Sequence, residues 1–408
     1  MMKVLYLHQY FVSPNGAGGT RSYELARRLV QRGHDVTIVT SNAFMPELSH
    51  IRERHEMQIE GVDVVVLPVA YTQSMSYLKR TKAFFSFAAA AAVECRRHRA
   101  DVVFATSTPL TIALPGLVAR AMTGAPMVFE VRDLWPELPI AMGALENPLA
   151  KAAARTLEWV AYHGSTSVVA LSPGMARGVV ARGITPERVT VIPNGCDVDQ
   201  DQVSRRDIMA MRRSMFPKLR DDQPLVIYGG SMGVIHDPGW LVDVAAHMRA
   251  VDPDVRFALV GKGAIAQEVE AKARHAGVLD ENLYFRGPVP KADVPTMLRG
   301  AQFATSTFAP IRAMEDNSAN KFFDALANGV PVALNYGGWQ ADLVREYGAG
   351  VVLPQPRPMD AAAELSSALR DLTGMSKMRA GAAKLAREHF DRESLTTRLE
   401  GVLVQAAA

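Results

Sequence analysis

Residues 317–334 read NSANKFFDALANGVPVAL. The stretch is a helix followed by a strand. The helical pattern starts near Ser318, and VPVAL (330–334) is a short, continuously apolar run of the kind buried on both faces of a parallel sheet. The same alternation runs outward in both directions. Before it stand KVLYL (3–7), DVTIVT (35–40), VDVVVL (62–67), DVVFAT (101–106), PMVFEV (126–131), TSVVAL (166–171), RVTVI (188–192), PLVIYG (224–229), RFALVG (256–261), NLYFRG (282–287) and QFATST (302–307); after it comes GVVLP (350–354). Helical stretches lie between most of these runs. In Arg21 to Arg32, Leu25, Ala26, Leu29 and Val30 share one face and Gly33 is the stop signal. Strands alternating with helices predict an α/β fold of parallel sheets with right-handed crossovers.

The series is interrupted once. Residues 197–223 are polar and charge-mixed, and a new strand series starts at Pro224. With 408 residues, too many for one ordinary core, this predicts two doubly wound, Rossmann-like domains, 1–200 and 201–385. Residues 386–408 form a last helix, expected to pack back on the first domain. Hydrophobic residues make up 48% and charged residues 21%, which excludes a disordered chain. A net charge of +3, without an aromatic-interleaved basic run, gives no support for nucleic-acid binding. Cys95 and Cys196 match no zinc spacing and make no disulfide framework, which fits a reducing cytoplasm. The start, MMKVLYLHQYF, lacks a signal-peptide layout. The longest near-apolar run, AFFSFAAAAAV (83–93), is about half the length needed to span a bilayer, so the protein is expected to be soluble or at most peripheral.

Ligands of doubly wound domains bind beyond the carboxyl ends of the strands. Glycines follow three of those ends. Gly16, Gly18 and Gly19 precede the helix that begins near Thr20; Gly230 and Ser231 follow PLVIYG; Gly261 and Lys262 end RFALVG. Glycine lets backbone approach a ligand closely, and helix N-terminal amides attract anions. Each loop alone also reads as an ordinary flexible connection, and no Walker-type spacing occurs. Arg132 and Asp133, just past a strand, read either as a polar wall of a binding cleft or as a surface ion pair.

Asp316 and Asp324 are separated by eight positions. On one helix this spreads them about 12 Å along the axis, at roughly 1.5 Å per residue. That is too far for joint work on one atom. It suits an elongated ligand held at both ends, with phosphates between them at the amides of Ser318, Ala319, Asn320 and Lys321. The alternative is a helix-capping Asp316 and a solvent-facing Asp324.

The chain resembles the GT-B glycosyltransferases, and among them the retaining family 4 enzymes, from end to end. HQYF…GAGGTRSYELARRLVQRGHDVTIVT, VRDLWPE, ALSPGM, VIPNGCD (191–197), LVGKGA, YFRGPVP and KFFDALANGVPVA follow in the family's order. The subgroup is similar to the N-acetylfucosaminyltransferase-like enzymes of surface-polysaccharide biosynthesis. The resemblance implies two Rossmann-like domains facing one another across a cleft, the first for the acceptor and the second for a nucleotide sugar, UDP-linked by preference. It implies hexosyl or N-acetylhexosaminyl transfer with retention and without a metal. The family's Glu-x7-Glu stands here as Asp316-x7-Asp324. This places Asp324 on the ribose and Asp316 by the donor sugar, with the amides between them on the phosphates. Gly287 and Val289, in RGPVP, would meet the base through backbone. Where the family carries Arg and Lys after the first strand of the second domain, this chain has GGSMGVIHDPG, so Lys321 is expected to supply the missing cation. Many members have His-Asp where Arg132-Asp133 stands; an Arg cannot act as a base, so Arg132 is assigned to binding or charge stabilisation. Gly18 and Gly19 are assigned to the phosphates. A glycan or lipid-linked acceptor is implied, with peripheral contact at the inner face of the membrane through residues 77–87. A GT-B-fold epimerase, or a non-catalytic nucleotide-sugar-binding subunit, is the alternative.

Overall fold

The apolar runs of the first half become seven of the eight strands of one sheet in the computed structural model, which describes residues 1–14, 20–72, 75–133, 135–143, 145–198 and 203–408. The strands are β1 (Lys3–Leu7), β2 (Asp35–Ser41), β3 (His55–Ile59), β4 (Val62–Leu67), β5 (Val102–Thr106), β6 (Met127–Val131), β7 (Ser167–Ala170) and β8 (Val189–Val191). Their order is β3-β4-β2-β1-β5-β6-β7-β8. All neighbours are parallel except β3 and β4, an antiparallel hairpin whose turn residues Glu60 and Gly61 both have positive φ. Strand β3 escapes a search for apolar runs because HEMQI lies at the sheet's edge, largely open to solvent.

The chain divides into two units, Met1–Pro193 with Arg392–Ala408, and Asn194–Asp391. The division thus falls a few residues before the polar stretch at 197–223. The last helix, Arg392–Ala407, begins six residues later than 386 and belongs to the first unit. Its Leu395, Leu399 and Leu403 enter the same core as Tyr6, Leu25, Leu29 and Phe104. Leu399 is fully buried, and truncating such a side chain costs about 2–5 kcal/mol. A buried ion pair also organises this unit. Arg21 donates to Glu130 (2.8 Å), to the Pro193 carbonyl (2.6 Å) and to the Ile192 carbonyl (2.9 Å), and Thr106 donates to the other Glu130 oxygen (2.6 Å). Arg21 holds Glu130 below the usual carboxylate range against the opposing effect of burial.

The second unit contains β9 (Leu225–Ser231), β10 (Arg256–Lys262), β11 (Leu283–Arg286), β12 (Phe303–Ser306), β13 (Val332–Leu334) and β14 (Gly350–Val352). The sheet is parallel throughout, in the order β11-β10-β9-β12-β13-β14. The chain winds outward from β9 to β11, returns to the middle, and winds the other way from β12. The reversal between β9 and β12 is the switch point at which doubly wound sheets leave a crevice.

Candidate functional site

At the β9 switch point the strand ends in Gly229, Gly230 and Ser231, with Ser231 exposed. Gly230 has φ +135, a conformation that side chains other than hydrogen rarely tolerate. Gly261, at the end of β10, is glycine for a structural reason. It has φ +149, and a Cβ there would stand 1.9 Å from the Gly230 carbonyl oxygen. Met232 donates to the Lys262 carbonyl (2.9 Å) and accepts from Ile265 (3.2 Å). The two glycine loops read from the sequence as separate ligand contacts are therefore pinned to each other. Lys262 and Gly287 are exposed, and Val289 is half-buried.

The acid-bearing segment departs from the expectation of one helix. The helix spans Asn320–Ala327, starting two residues after Ser318, and Asp316 closes a separate 3-10 turn, Arg312–Asp316. Asn317 and Ala319 are extended between them, so the estimate of an axial spread along one helix does not apply. The cause is the loop's own anchoring. Asn194, from the VIPNGCD motif, donates through its side chain to the Ser318 carbonyl (2.7 Å) and through its backbone to Ser318 Oγ (3.2 Å). Trp339 donates to the Asn317 carbonyl (3.0 Å). Ser318 is buried by these contacts, Ala319 is half-buried and Asn320 is exposed. Beyond it, Phe322, Phe323, Ala325 and Leu326 face the core, leaving Lys321 and Asp324 half-buried one turn apart.

Lys321 is the electrostatic centre of this region. Its Nζ donates to the Tyr228 hydroxyl (2.7 Å) and lies 4.1 Å from the ring centroid. Burial lowers its pKa to about 7, with no carboxylate among the described residues offsetting the shift. His236, in the loop after β9, stacks against Phe308 at 5.8 Å. Its pKa is lowered to about 3, by burial first and by the Lys321 charge second. It is therefore neutral, and its Nδ1 is buried with no hydrogen-bond partner among the described residues.

In the first unit, the corresponding reversal lies between β1 and β5. Arg132 and Asp133, just beyond β6, are half-buried, and among the described residues they form no ion pair with each other, so the surface-pair reading does not hold. Arg132 approaches His8 instead, Nη1 to Nε2 at 3.3 Å, and its backbone donates to Ser107 Oγ (3.0 Å). Burial, and then the Arg132 charge, holds His8 well below its ordinary pKa. Since Arg only donates, Nε2 accepts and the ring proton is assigned to Nδ1. That atom, and both polar side-chain atoms of the neighbouring Gln9, are buried without a partner among the described residues. Burial raises Asp133 to about 6, with Arg132 opposing. Gly16, Gly18 and Gly19 lie outside the described residues.

Residues 16–195 match the glycosyl transferase 4-like domain and residues 223–371 match the glycosyl transferases group 1 domain. The chain belongs to the glycosyltransferase family. A curated relative, D-inositol 3-phosphate glycosyltransferase of Jonesia denitrificans, is 25% identical over 210 residues, 50% of this chain and 48% of the relative. The chain thus spans about half the length of that relative. Among solved structures, Anabaena HepE in complex with UDP and glucose has a TM-score of 0.72 at 19% identity, covering 99% of this chain and 100% of that one. WaaG, a glycosyltransferase involved in lipopolysaccharide biosynthesis, has a TM-score of 0.69 at 16% identity, with 98% and 99% covered. These structures share the two-domain GT-B fold.

Three polar residues of the second unit escaped assignment from sequence. Tyr228 sits inside a continuously apolar strand and reads as core. Asn194 lies in a motif whose partner, Ser318, is remote in the chain. His236 was visible in GVIHDPG, but nothing in that string shows its burial. The helix that holds residues 77–87 is two-sided. In the helix Tyr77–Cys95, Phe87, Ala88 and Ala91 are buried, while Leu78 and Phe85 are 80% and 52% exposed beside exposed Lys79 and Lys82. The helix Ala113–Thr123 packs against it and the helix Pro148–His163 packs against that one, adding exposed Met122, Leu149 and Trp159. The only carboxylates on these three helices, Glu94 and Glu158, are buried. No helix among the described residues is long and apolar enough to cross a membrane.

Proposed function

We propose that this chain is a retaining, metal-independent glycosyltransferase that moves a hexosyl or N-acetylhexosaminyl unit from a UDP-linked donor to a glycan or lipid-linked acceptor in surface-polysaccharide biosynthesis. The observation that carries the reading is Lys321: a half-buried cation at the switch point of a doubly wound sheet, uncompensated by a carboxylate among the described residues, at the start of a helix whose first amides have no intrahelical acceptor. A diphosphate supplies the missing negative charge. In this reading the Asn320 and Lys321 amides and the Lys321 ammonium hold the phosphates and stabilise the charge that develops as diphosphate leaves. Asp324 accepts from the ribose hydroxyls and Asp316 from the sugar. Gly287 and Val289 meet the base through backbone. The UDP bound to HepE supports the choice of nucleotide, and the lipopolysaccharide role of WaaG supports the acceptor class.

The first unit takes the acceptor, with Arg132, Asp133, His8 and Gln9 offering donors and acceptors to hydroxyl groups. The helix Tyr77–Cys95 meets the inner face of the membrane through residues 77–87; its exposed cations and apolar side chains, without an exposed carboxylate, support an anionic lipid surface. A thermal-shift screen of nucleoside diphosphates and their sugars tests the donor. UDP and a UDP-sugar should raise Tm more than the other nucleotides, and no response to any nucleotide would sink the reading. Donor turnover that requires acceptor then separates transfer from epimerisation and from binding alone. Lys79, Arg80 and Lys82 changed together to Ser should weaken salt-sensitive sedimentation with anionic liposomes and leave turnover of a soluble acceptor analogue intact. Equal sedimentation would remove this segment as the docking surface.

A further inference from the structure

We propose that Tyr228 is a positioning residue that fixes the Lys321 ammonium for an incoming diphosphate. The inference rests on the reading of Lys321 given above and adds the group that sets its location. The Tyr228 hydroxyl has one proton, which it donates to the Ser231 carbonyl at 2.5 Å. Burial pushes the phenol's pKa up, so that proton stays in place. The oxygen is left with acceptor capacity only, and Lys321 Nζ fills it at 2.7 Å. The ring lies beneath the same ammonium at 4.1 Å. Lysine is flexible, with four rotatable carbons, and normally loses much of its freedom when it binds an anion. Here that freedom is spent before the ligand arrives. Lys321 Cε passes over Gly230, 3.7 Å from the position a Cβ would take, which keeps the stem along the end of β9. One N–H of the ammonium is committed to Tyr228, and the other two remain for phosphate oxygens. Tyr228 itself is fully buried, so it reaches a ligand only through the groups it holds, the Lys321 ammonium and the Ser231 carbonyl, and the double variant separates the two.

This sets Tyr228 apart from an ordinary core tyrosine, and the distinction can be measured. UDP affinity is determined by titration calorimetry for the parent, Tyr228→Phe, Lys321→Met and the double variant. Phe keeps the ring and the core volume, so the fold is retained; circular dichroism and Tm verify it. Lys321→Met should weaken UDP strongly. Tyr228→Phe should weaken UDP on the order of 5- to 10-fold in the Lys321 background and leave it unchanged in the Lys321→Met background. Equal losses in both backgrounds, or no loss in either, would assign Tyr228 to the core alone and leave the reading of Lys321 intact. If Lys321→Met binds UDP as the parent does, both the diphosphate reading of Lys321 and the positioning role of Tyr228 are overturned.

Discussion

Each unit places one half-buried cation near the reversal of its sheet, and the two cations are set up differently. In the first unit Arg132 meets a neutral imidazole, His8, and stands next to Asp133 in sequence. In the second unit Lys321 meets a neutral phenol, Tyr228, and no carboxylate among the described residues offsets its burial. A guanidinium stays charged whatever surrounds it, so Arg132 supplies a fixed field. That field opposes the burial that raises Asp133 and adds to the burial that lowers His8, and the environment that results contains both donors and acceptors. It suits a ligand of hydroxyl groups. An ammonium can be partly discharged by burial, and an anion beside Lys321 would restore its full charge. In the reading proposed above, the first region serves as a balanced polar surface and the second as an anion receptor.

The largest expected effect breaks this contrast directly. Lys321→Met should lower UDP affinity and transfer by about 3 kcal/mol, on the order of 100-fold, the upper end for a charge-assisted hydrogen bond. Arg132→Met should leave UDP affinity unchanged and raise KM for the acceptor. If the two substitutions had equal effects on UDP, the division of labour between the units would fall.

Asp324 comes next. If it holds the ribose as proposed, its removal takes a charged acceptor from the hydroxyls, and Asp324→Ala should weaken UDP by about 2 kcal/mol. Asp324→Glu should be milder, since it keeps the charged acceptor at a half-buried position. A nucleoside diphosphate bound equally well by Asp324→Ala would remove the ribose assignment.

How far this could be read from the chain depends on how local each cause is. Thirteen strands were legible because parallel strands buried on both faces are continuous apolar runs. The missing one, β3, is a polar edge. The helix start at Asn320 was misplaced by two residues because the side chain that reorganises the loop, Asn194, lies 124 positions away. Gly261 was visible as a glycine, but the 1.9 Å approach to Gly230 that requires it belongs to the pairing of β9 and β10. The acid pair was legible as a pair, and its division between a 3-10 turn and a helix was not. Lys321 was identified from the lack of cations after β9, whereas Tyr228 looked like any buried aromatic.

A smaller effect sharpens the comparison through pH. Free Lys321 has its pKa lowered to about 7 by burial, and a diphosphate bound as proposed would raise it. A group whose pKa is raised on binding contributes affinity that is fully present below the free value and declines as pH rises through it. UDP affinity should therefore fall between pH 7 and 9, by at most about 1.4 kcal/mol per pH unit. The phosphate's own last proton, with a pKa near 6, confines the clean window to that range. Lys321→Arg should flatten the slope, because arginine does not discharge. A slope that persists in Lys321→Arg would place the titrating group elsewhere.

The smallest expected effect is none at all, and it tests where the phosphate charge is balanced. If helix amides and the Lys321 ammonium neutralise the departing diphosphate, excess chelator should leave the transfer rate of the parent unchanged. Lys321→Met should behave differently. It leaves the diphosphate short of one positive charge in a half-buried place, where electrostatic interactions are stronger than in water. Added magnesium, entering with the diphosphate as its counter-ion, should then restore part of the lost rate in the variant while doing nothing for the parent. The two arms answer different questions. Full, metal-reversible loss in the parent would make the enzyme metal-dependent and overturn the role given to Lys321. Chelator resistance in the parent, with no magnesium response in Lys321→Met, would keep metal independence but move the essential cation away from the start of the Asn320–Ala327 helix.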